Sequence, residues 1–248
     1  MYNKKMYTET VTEVKHLTDN LFSFKTTRSP GFRFEAGQFT MIGLKEHKVY
    51  RAYSMVSGPG DDYLKFLSIV VEDGPLTSKL VNIKVGDEIQ VGNKPVGTLI
   101  TDSLVKGKNL WLIGTGTGIA PFVSICRDAK TYLKFENIIV CHTVRTKKEL
   151  AYYDYFFNLT MGSMIQYFPT VTRDTDWPNR GRITNLIKDD SVFKTLELPK
   201  WSPNTDAVML CGSTDFNKEM MAYLKDGGWT VGTLGEPATY VYEKAFVG

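Results

Sequence analysis

From residue 7 to residue 91 the chain runs through short segments rich in β-branched and aromatic residues, each closed by turn residues. The segments Tyr7–His16, Leu21–Thr27, Gln38–Leu44, Arg51–Val56, Tyr63–Val71 and Asp87–Val91 read as strands. Ser29-Pro30-Gly31, the stretch 57–61, Val85-Gly86-Asp87 and Val91-Gly92-Asn93 supply the turns between them. About six strands at this spacing predict an antiparallel β-barrel or sandwich, interrupted by one short helix beginning near Leu76. After Lys106-Gly107-Lys108-Asn109 the texture changes. Compact apolar strands at 110–113, 137–141, 164–171 and 207–211 alternate with helical stretches at about 119–133, 147–157, 184–188 and 214–224. That alternation predicts βαβ units and a parallel sheet. The tail, 239–248, returns to a strand-like pattern.

A length of 248 residues is ample for two domains with real cores, and 42% apolar with 23% charged residues is ordinary for a globular protein. No run approaches eighteen apolar residues, so no transmembrane helix is predicted. Lys4 and Lys5 are followed by no apolar core, so the start does not read as a secretory signal. Cys126, Cys141 and Cys211 are widely spaced and fit buried thiols in a reducing compartment, which predicts a cytoplasmic protein. They are too few for a cysteine-ligated iron–sulfur cluster, and no metal-ligand spacing occurs. A net charge of +3 implies no nucleic-acid partner.

Two motifs carry chemistry. Residues 51–54 read Arg-Ala-Tyr-Ser. An arginine on a strand can pair bidentately with a diphosphate, and a tyrosine two residues on offers a ring and a hydroxyl from the same face. Ser54 can hydrogen-bond the redox-active edge of a flavin. About twenty residues later Asp73-Gly74-Pro75-Leu76-Thr77-Ser78 puts small residues and hydroxyls where a helix begins, a setting that favours an anion. The competing readings are an ordinary barrel strand and simple helix capping by Thr77 or Ser78.

The second motif, Gly114-Thr115-Gly116-Thr117-Gly118-Ile119-Ala120-Pro121-Phe122, lies between a predicted strand and a predicted helix. It departs from G-x-G-x-x-G, because Pro121 stands where the third glycine would be, and no carboxylate ends the following strand. An ordinary NAD fingerprint is therefore disfavoured, while the phosphate-cradling role of the glycines remains. Arg145, Arg173 and Arg182 follow strands or begin helices, so they are positioned to converge at the carboxyl edge of the sheet and to hold a 2′-phosphate. Asp174 and Asp176, between the last two arginines, oppose a phosphate there. Cys211-Gly212-Ser213 closes the last strand before a helix, beside the expected nicotinamide position. His142 is a lone histidine at a strand end and reads as structural; Glu149, four residues after Arg145, reads as a surface partner of that arginine.

With these residues in hand, the chain strongly resembles the ferredoxin–NADP⁺ reductase family in its short bacterial form. The matching pieces are RAYS at 51–54, DGPLTS at 73–78, KPVGTL at 94–99, GTGTGIAPF at 114–122, VRTKKELAY at 144–152, VTR at 171–173, GRIT at 181–184, MLCGS at 209–213 and EKAFVG at the end. The resemblance implies a two-domain fold: an FAD-binding antiparallel β-barrel over 1–103, an α/β parallel-sheet domain for NADP(H) over 104–238, and an extension, 239–248, that contacts FAD. It implies that Arg51, Ala52, Tyr53 and Ser54 bind FAD, together with Phe66, Ser68, Ile69 and Val70 on the next strand. Gly74, Leu76, Thr77 and Ser78 would surround the diphosphate, Phe246 would stack on the adenine, and Ala245 would approach the flavin ring. For NADP it implies Thr115, Gly116, Thr117 and Gly118 at the diphosphate, the three arginines at the 2′-phosphate, and Cys211, Gly212 and Ser213 beside the nicotinamide. Ser54, Cys211 and Ala245 are thus the candidates nearest the chemistry.

The activity implied is hydride transfer between NADP(H) and FAD, with single electrons passing between FAD and an acidic ferredoxin or flavodoxin. The enzyme is expected to be monomeric, without stable membrane association, and to meet its carrier through lysines such as Lys45, Lys48, Lys94 and Lys244. Two rivals stand beside this reading: the reductase component of an oxygenase, and a nucleotide-binding sensor without catalysis.

Overall fold

The computed structural model describes residues 6–71, 73–162 and 165–245. Phe246, Val247, Gly248 and Met164, all named above, lie outside the described residues.

Strands β1 (Met6–His16), β2 (Leu21–Thr27), β3 (Phe39–Leu44), β4 (Val49–Ser54), β5 (Tyr63–Ile69) and β6 (Glu88–Gly92) form one antiparallel sheet in the order β4-β3-β6-β1-β2-β5. Alternating residues of this sheet send Val11, Phe22, Phe24, Ile42, Leu64, Phe66, Ile89 and Val91 into a common core. The sheet curls until its two edges approach. Just past β4 the Val56 N–H donates to the Lys65 carbonyl at 2.8 Å, and the Lys65 N–H donates to Ser57 Oγ at 3.1 Å. This closes the predicted barrel with a seam rather than a full strand pair. Helix α1 (Thr77–Leu80) caps the core with Leu76 and Leu80, where the sequence puts its short helix.

The second sheet is parallel. Strands β7 (Asn109–Thr115), β8 (Asn137–Val144), β9 (Ile165–Val171), β10 (Asp206–Gly212) and β11 (Tyr240–Lys244) lie in the order β11-β10-β7-β8-β9. The segment 239–248, expected as an extension, thus opens as the edge strand beside β10. Both faces of this sheet are covered, which explains why its central strands are almost continuously apolar.

Two helices expected as continuous are broken. The stretch after the glycine motif forms a 3-10 turn (Gly116–Ile119), then α2 (Ala120–Ile125) and α3 (Ala129–Lys134). Between them Asp128 restarts the helix by accepting the Lys130 N–H, while Arg127 reaches out to Asp61 at 2.7 Å. The expected helix over 147–157 is a 3-10 turn (Lys147–Glu149), closed by a Thr146/Glu149 capping box, followed by α4 (Tyr153–Thr160). Tyr152 between them has φ +61° and sends its ring into the main core, under the Lys65 ammonium at 5.7 Å. In both places the local helical tendency yields to a side chain recruited across the domain boundary.

Helix α5 (Ile183–Lys188) and helix α7 (Thr214–Asp226) stand where expected; α6 (Ser191–Thr195) was not foreseen. It buries Val192 and Phe193 against Trp111 and Trp201. No helix among the described residues is long and apolar enough to cross a membrane.

Candidate active site

A cavity of about 300 Å³ opens where the two sheets meet. Its lining comes from residues 51–54 of β4, residues 67–69 of β5, Val71, the stretch 73–77, and, from the other domain, Thr117, Ala120 and Ala245. Depth along β4 decides what each residue offers. Arg51 is exposed, while Tyr53 is only 8% exposed and donates or accepts at 2.9 Å with the buried Ser68 hydroxyl. Burial pushes the Tyr53 phenol up, so it stays neutral. The hydroxyl that the sequence offers to a ligand meets a competing partner, since Ser68 already holds it. The Arg51 guanidinium touches only the Tyr50 carbonyl among the described residues, which leaves most of its five donors for an anion.

Of the other residues expected at the flavin, Ala52, Ser54, Ile69, Gly74, Leu76, Thr77 and Ala245 line the cavity. Phe66 does not: it is fully buried and faces the barrel core, edge-on to Tyr53 at 6.4 Å, so it supports the wall from behind. Val70 packs on that same core. Ser78 spends its hydroxyl on the Gly74 carbonyl at 2.7 Å. Gly74 itself leaves no room for a side chain, because a Cβ there would collide with the Thr77 hydroxyl. Leu67, Val71, Asp73, Pro75 and Ala120 join the lining without having been singled out. Leu67 was legible by period-two alternation from Ile69, and Asp73, Pro75 and Ala120 lie inside the two motifs already quoted.

On the nicotinamide side, β7 ends at Thr115 and the chain turns at Gly116, with φ +55°. A Cβ on Gly116 would meet nothing within 4 Å, so its outer face is open to a ligand. Gly118 differs: a Cβ there would land on the Cys211 carbonyl oxygen, so the turn lies directly against the end of β10. A Cβ on Gly212 would strike Thr115 Oγ1 and the Phe216 ring. Ser213 caps α7 by accepting the Phe216 N–H at 3.2 Å. Cys211 is 1% exposed and its thiol is pushed up by burial, so the side chain packs as a neutral thiol below the turn. His142 is fully buried and donates Nε2–H to the Gly116 carbonyl at 2.8 Å; burial pushes its pKa down to about 4.

Arg145 and Arg173 sit together just beyond β8 and β9, joined by the Arg173 N–H donating to the Arg145 carbonyl at 2.8 Å. Both are exposed, and neither has an ion-pair partner among the described residues. Glu149 does not pair with the Arg145 guanidinium; its carboxylate accepts the Arg145 backbone N–H at 2.9 Å. Neither acid forms an ion pair with these arginines among the described residues. Asp174 accepts the Lys147 N–H at 2.5 Å and Asp176 pairs with the Lys147 ammonium at 2.7 Å. Arg182, before α5, is tied instead to Glu219 at 2.9 Å, which also holds Lys188 at 2.8 Å.

The donor set suits two nucleotides. A cation, an aromatic wall and a hydroxyl line a partly apolar cavity on the barrel side, as a flat ring with a diphosphate requires. Open glycine backbone and unpaired arginines stand on the other side, as a second phosphorylated nucleotide requires.

Fold and site together define a two-domain flavin–nicotinamide oxidoreductase. Residues 8–100 match the oxidoreductase FAD-binding domain family and residues 112–224 the oxidoreductase NAD-binding domain family. The chain is 44% identical to a ferredoxin–NADP reductase of Pseudomonas aeruginosa over 98% of both chains. It is also 44% identical to a flavodoxin/ferredoxin–NADP reductase of Rhodobacter capsulatus, over 97% of this chain and 93% of the relative. A ferredoxin NADP⁺ reductase from Neisseria gonorrhoeae, solved with bound FAD and NADP, superposes with a TM-score of 0.92 at 30% identity, covering 98% of this chain and 99% of the other. The chain belongs to the ferredoxin–NADP reductase family.

Proposed function

We propose that this protein transfers a hydride between NADP(H) and FAD and passes single electrons between FAD and ferredoxin or flavodoxin. The observation that carries the reading is the shared cavity. Barrel residues 51–54 and 73–77 face Thr117, Ala120 and Ala245 of the nucleotide-binding half across one space. FAD supplies the two-electron to one-electron conversion; the protein supplies binding, orientation and electrostatics.

Arg51 pairs with the FAD diphosphate, aided by the backbone of residues 74–78. The Tyr53 ring forms a wall against the flavin, and Ser54 offers its hydroxyl at the redox edge. Ala245 closes the far side without covering it, being too small to block a nicotinamide. The backbone of residues 115–118 meets the NADP diphosphate. Arg145 and Arg173 grip the 2′-phosphate, with Arg182 as a third contact. Cys211, Gly212 and Ser213 shape the floor beneath the nicotinamide, and the neutral Cys211 thiol exchanges no proton there. The FAD-binding part spans 1–103 and the NADP(H)-binding part 104–238, with 239–248 completing the site. The enzyme works as a cytoplasmic monomer, and Lys45, Lys48, Lys94 and Lys244 meet the acidic carrier.

Anaerobic stopped-flow mixing of the yellow protein with NADPH, and separately with NADH, tests this reading. Rapid flavin bleaching near 450 nm with NADPH and slow bleaching with NADH is the expected result. A preparation that carries no flavin overturns it.

A further inference from the structure

The glycine turn presents an anion with a choice of peptide faces. A peptide bond is trans and planar, so its carbonyl and its N–H point in opposite directions. At the bond between Gly116 and Thr117, one face offers a hydrogen-bond donor to a diphosphate and the other offers an oxygen that repels it. Gly116 has φ +55° and no neighbour where a side chain would stand, so sterics alone do not choose between these faces.

The 3-10 turn that begins at Gly116 favours one face, and His142 locks that choice from the sheet side. It lies on β8 in register with Gly114 of β7 and Pro169 of β9. Gly114 has no side chain, and the turn folds back over the gap. A Cβ there would stand 2.9 Å from the Phe122 ring and 3.1 Å from the Gly118 oxygen. The imidazole Nε2 then lies 2.8 Å from the Gly116 carbonyl. A carbonyl only accepts, so Nε2 carries the proton and Nδ1 is the bare nitrogen. That Nδ1 is buried and has no partner among the described residues. A leucine would fill the same space without leaving a buried acceptor unsatisfied, so packing alone does not account for the ring. What the imidazole adds is the donor at Nε2, and that donor is spent on the turn. Violations of local rules of this kind concentrate at functional sites.

We infer that His142 is a positioning residue for NADP(H): by holding the Gly116 carbonyl toward the sheet it presents the Thr117 N–H, rather than an oxygen, to the diphosphate. The inference rests on the proposed placement of the NADP diphosphate at this turn. Burial holds the imidazole neutral with its pKa at about 4, so the arrangement persists across the neutral range.

The test compares NADP⁺ with 2′-phospho-AMP, which keeps the 2′-phosphate but lacks the diphosphate. Both are titrated calorimetrically into FAD-loaded wild type, His142→Leu and His142→Gln, with melting temperatures alongside. His142→Leu is expected to weaken NADP⁺ about tenfold, the loss of roughly one hydrogen bond's net contribution. It should leave 2′-phospho-AMP within about twofold of wild type. His142→Gln, whose amide N–H reaches as far as Nε2, should recover most of the affinity. The KM for NADPH should rise in His142→Leu while kcat with a small oxidant holds. His142→Asn, too short to reach Gly116, gives the same comparison if His142→Leu does not fold. Equal weakening of both ligands, together with a lowered melting temperature and no rescue by glutamine, overturns the inference. So does a leucine variant that binds NADP⁺ like wild type. A wild type that fails to bind NADP⁺ at all overturns the underlying placement, and the inference with it.

Discussion

The Glu243 carboxylate on β11 accepts the Thr98 N–H at 2.8 Å, tying the last strand of the parallel sheet to the segment that leaves the barrel. The same oxygen accepts the Leu99 N–H at 3.3 Å, and a Cβ on Gly97 would stand 2.5 Å from it. Burial pushes the carboxyl up to about 7, although both N–H groups favour its charged form.

A pH dependence follows. The folded pKa of Glu243 exceeds the ordinary carboxylate value of 4.5, so the folded state keeps its proton while the unfolded state loses one. Stability from this group therefore falls as pH rises from about 4.5 to about 7 and changes little beyond, by up to about 3 kcal/mol in all. Glu243→Gln keeps an accepting oxygen and removes the titration. Thermal melts of FAD-loaded protein across that window should show the gap between variant and wild type widening in favour of glutamine. Parallel curves would refute it.

Gly118 and Gly116 should respond differently to alanine. At Gly118 the new methyl collides with the Cys211 carbonyl, a rigid backbone neighbour, and costs about 1–3 kcal/mol. At Gly116 it meets open space and costs only the left-handed backbone conformation, about 1–2 kcal/mol. For NADP⁺ binding the order should reverse: the Gly116→Ala methyl stands on the face left open for the diphosphate and should weaken NADP⁺ more, as titration would reveal; a larger loss in Gly118→Ala would contradict the placement of the turn.

Arg51→Ala removes a guanidinium that has few protein partners. FAD affinity should fall by about tenfold or more, the usual contribution of a charge-assisted hydrogen bond. Flavin fluorescence on dilution measures it, and undiminished retention would remove Arg51 from the diphosphate site.

Arg145 and Arg173 have no ion-pair partner among the described residues, whereas Arg182 is shared with Glu219. Arg145→Ala and Arg173→Ala should each raise the KM for NADPH about tenfold with little change for NADH, and Arg182→Ala should do less. A loss that affects both nucleotides equally would assign these residues elsewhere.

Cys126, Cys141 and Cys211 are all buried, and burial raises all three thiols. The native protein should leave every one of the three unreactive toward a disulfide reagent at pH 8, and all three should react after unfolding. Fast labelling of Cys211 in the native protein would show that the end of β10 opens.

The barrel strands and the alternating second half were readable because their periods are local properties of the chain. The two broken helices were not, because what breaks them is distant. Arg127 turns toward Asp61, and Tyr152 turns into a core shared with the barrel. Site residues show the same division. Arg51, Tyr53 and the glycine turn announce their chemistry by residue type, but Leu67 and Ala120 line the cavity through backbone position alone. Phe66 shows the reverse, a residue close to the site in sequence whose ring lies in the barrel core. The roles of Asp174 and Asp176 could not be read from their position, since Lys147, which neutralises Asp176, lies on a different βα connection.

Ala245 contributes a wall to the same cavity as Arg51, although the two lie far apart along the sequence. During synthesis the barrel can therefore form long before its cavity is complete, since N-terminal domains fold first. Until the last strand docks beside β10, the flavin cavity lacks one side. A chain cut short before β11 would hold its flavin loosely.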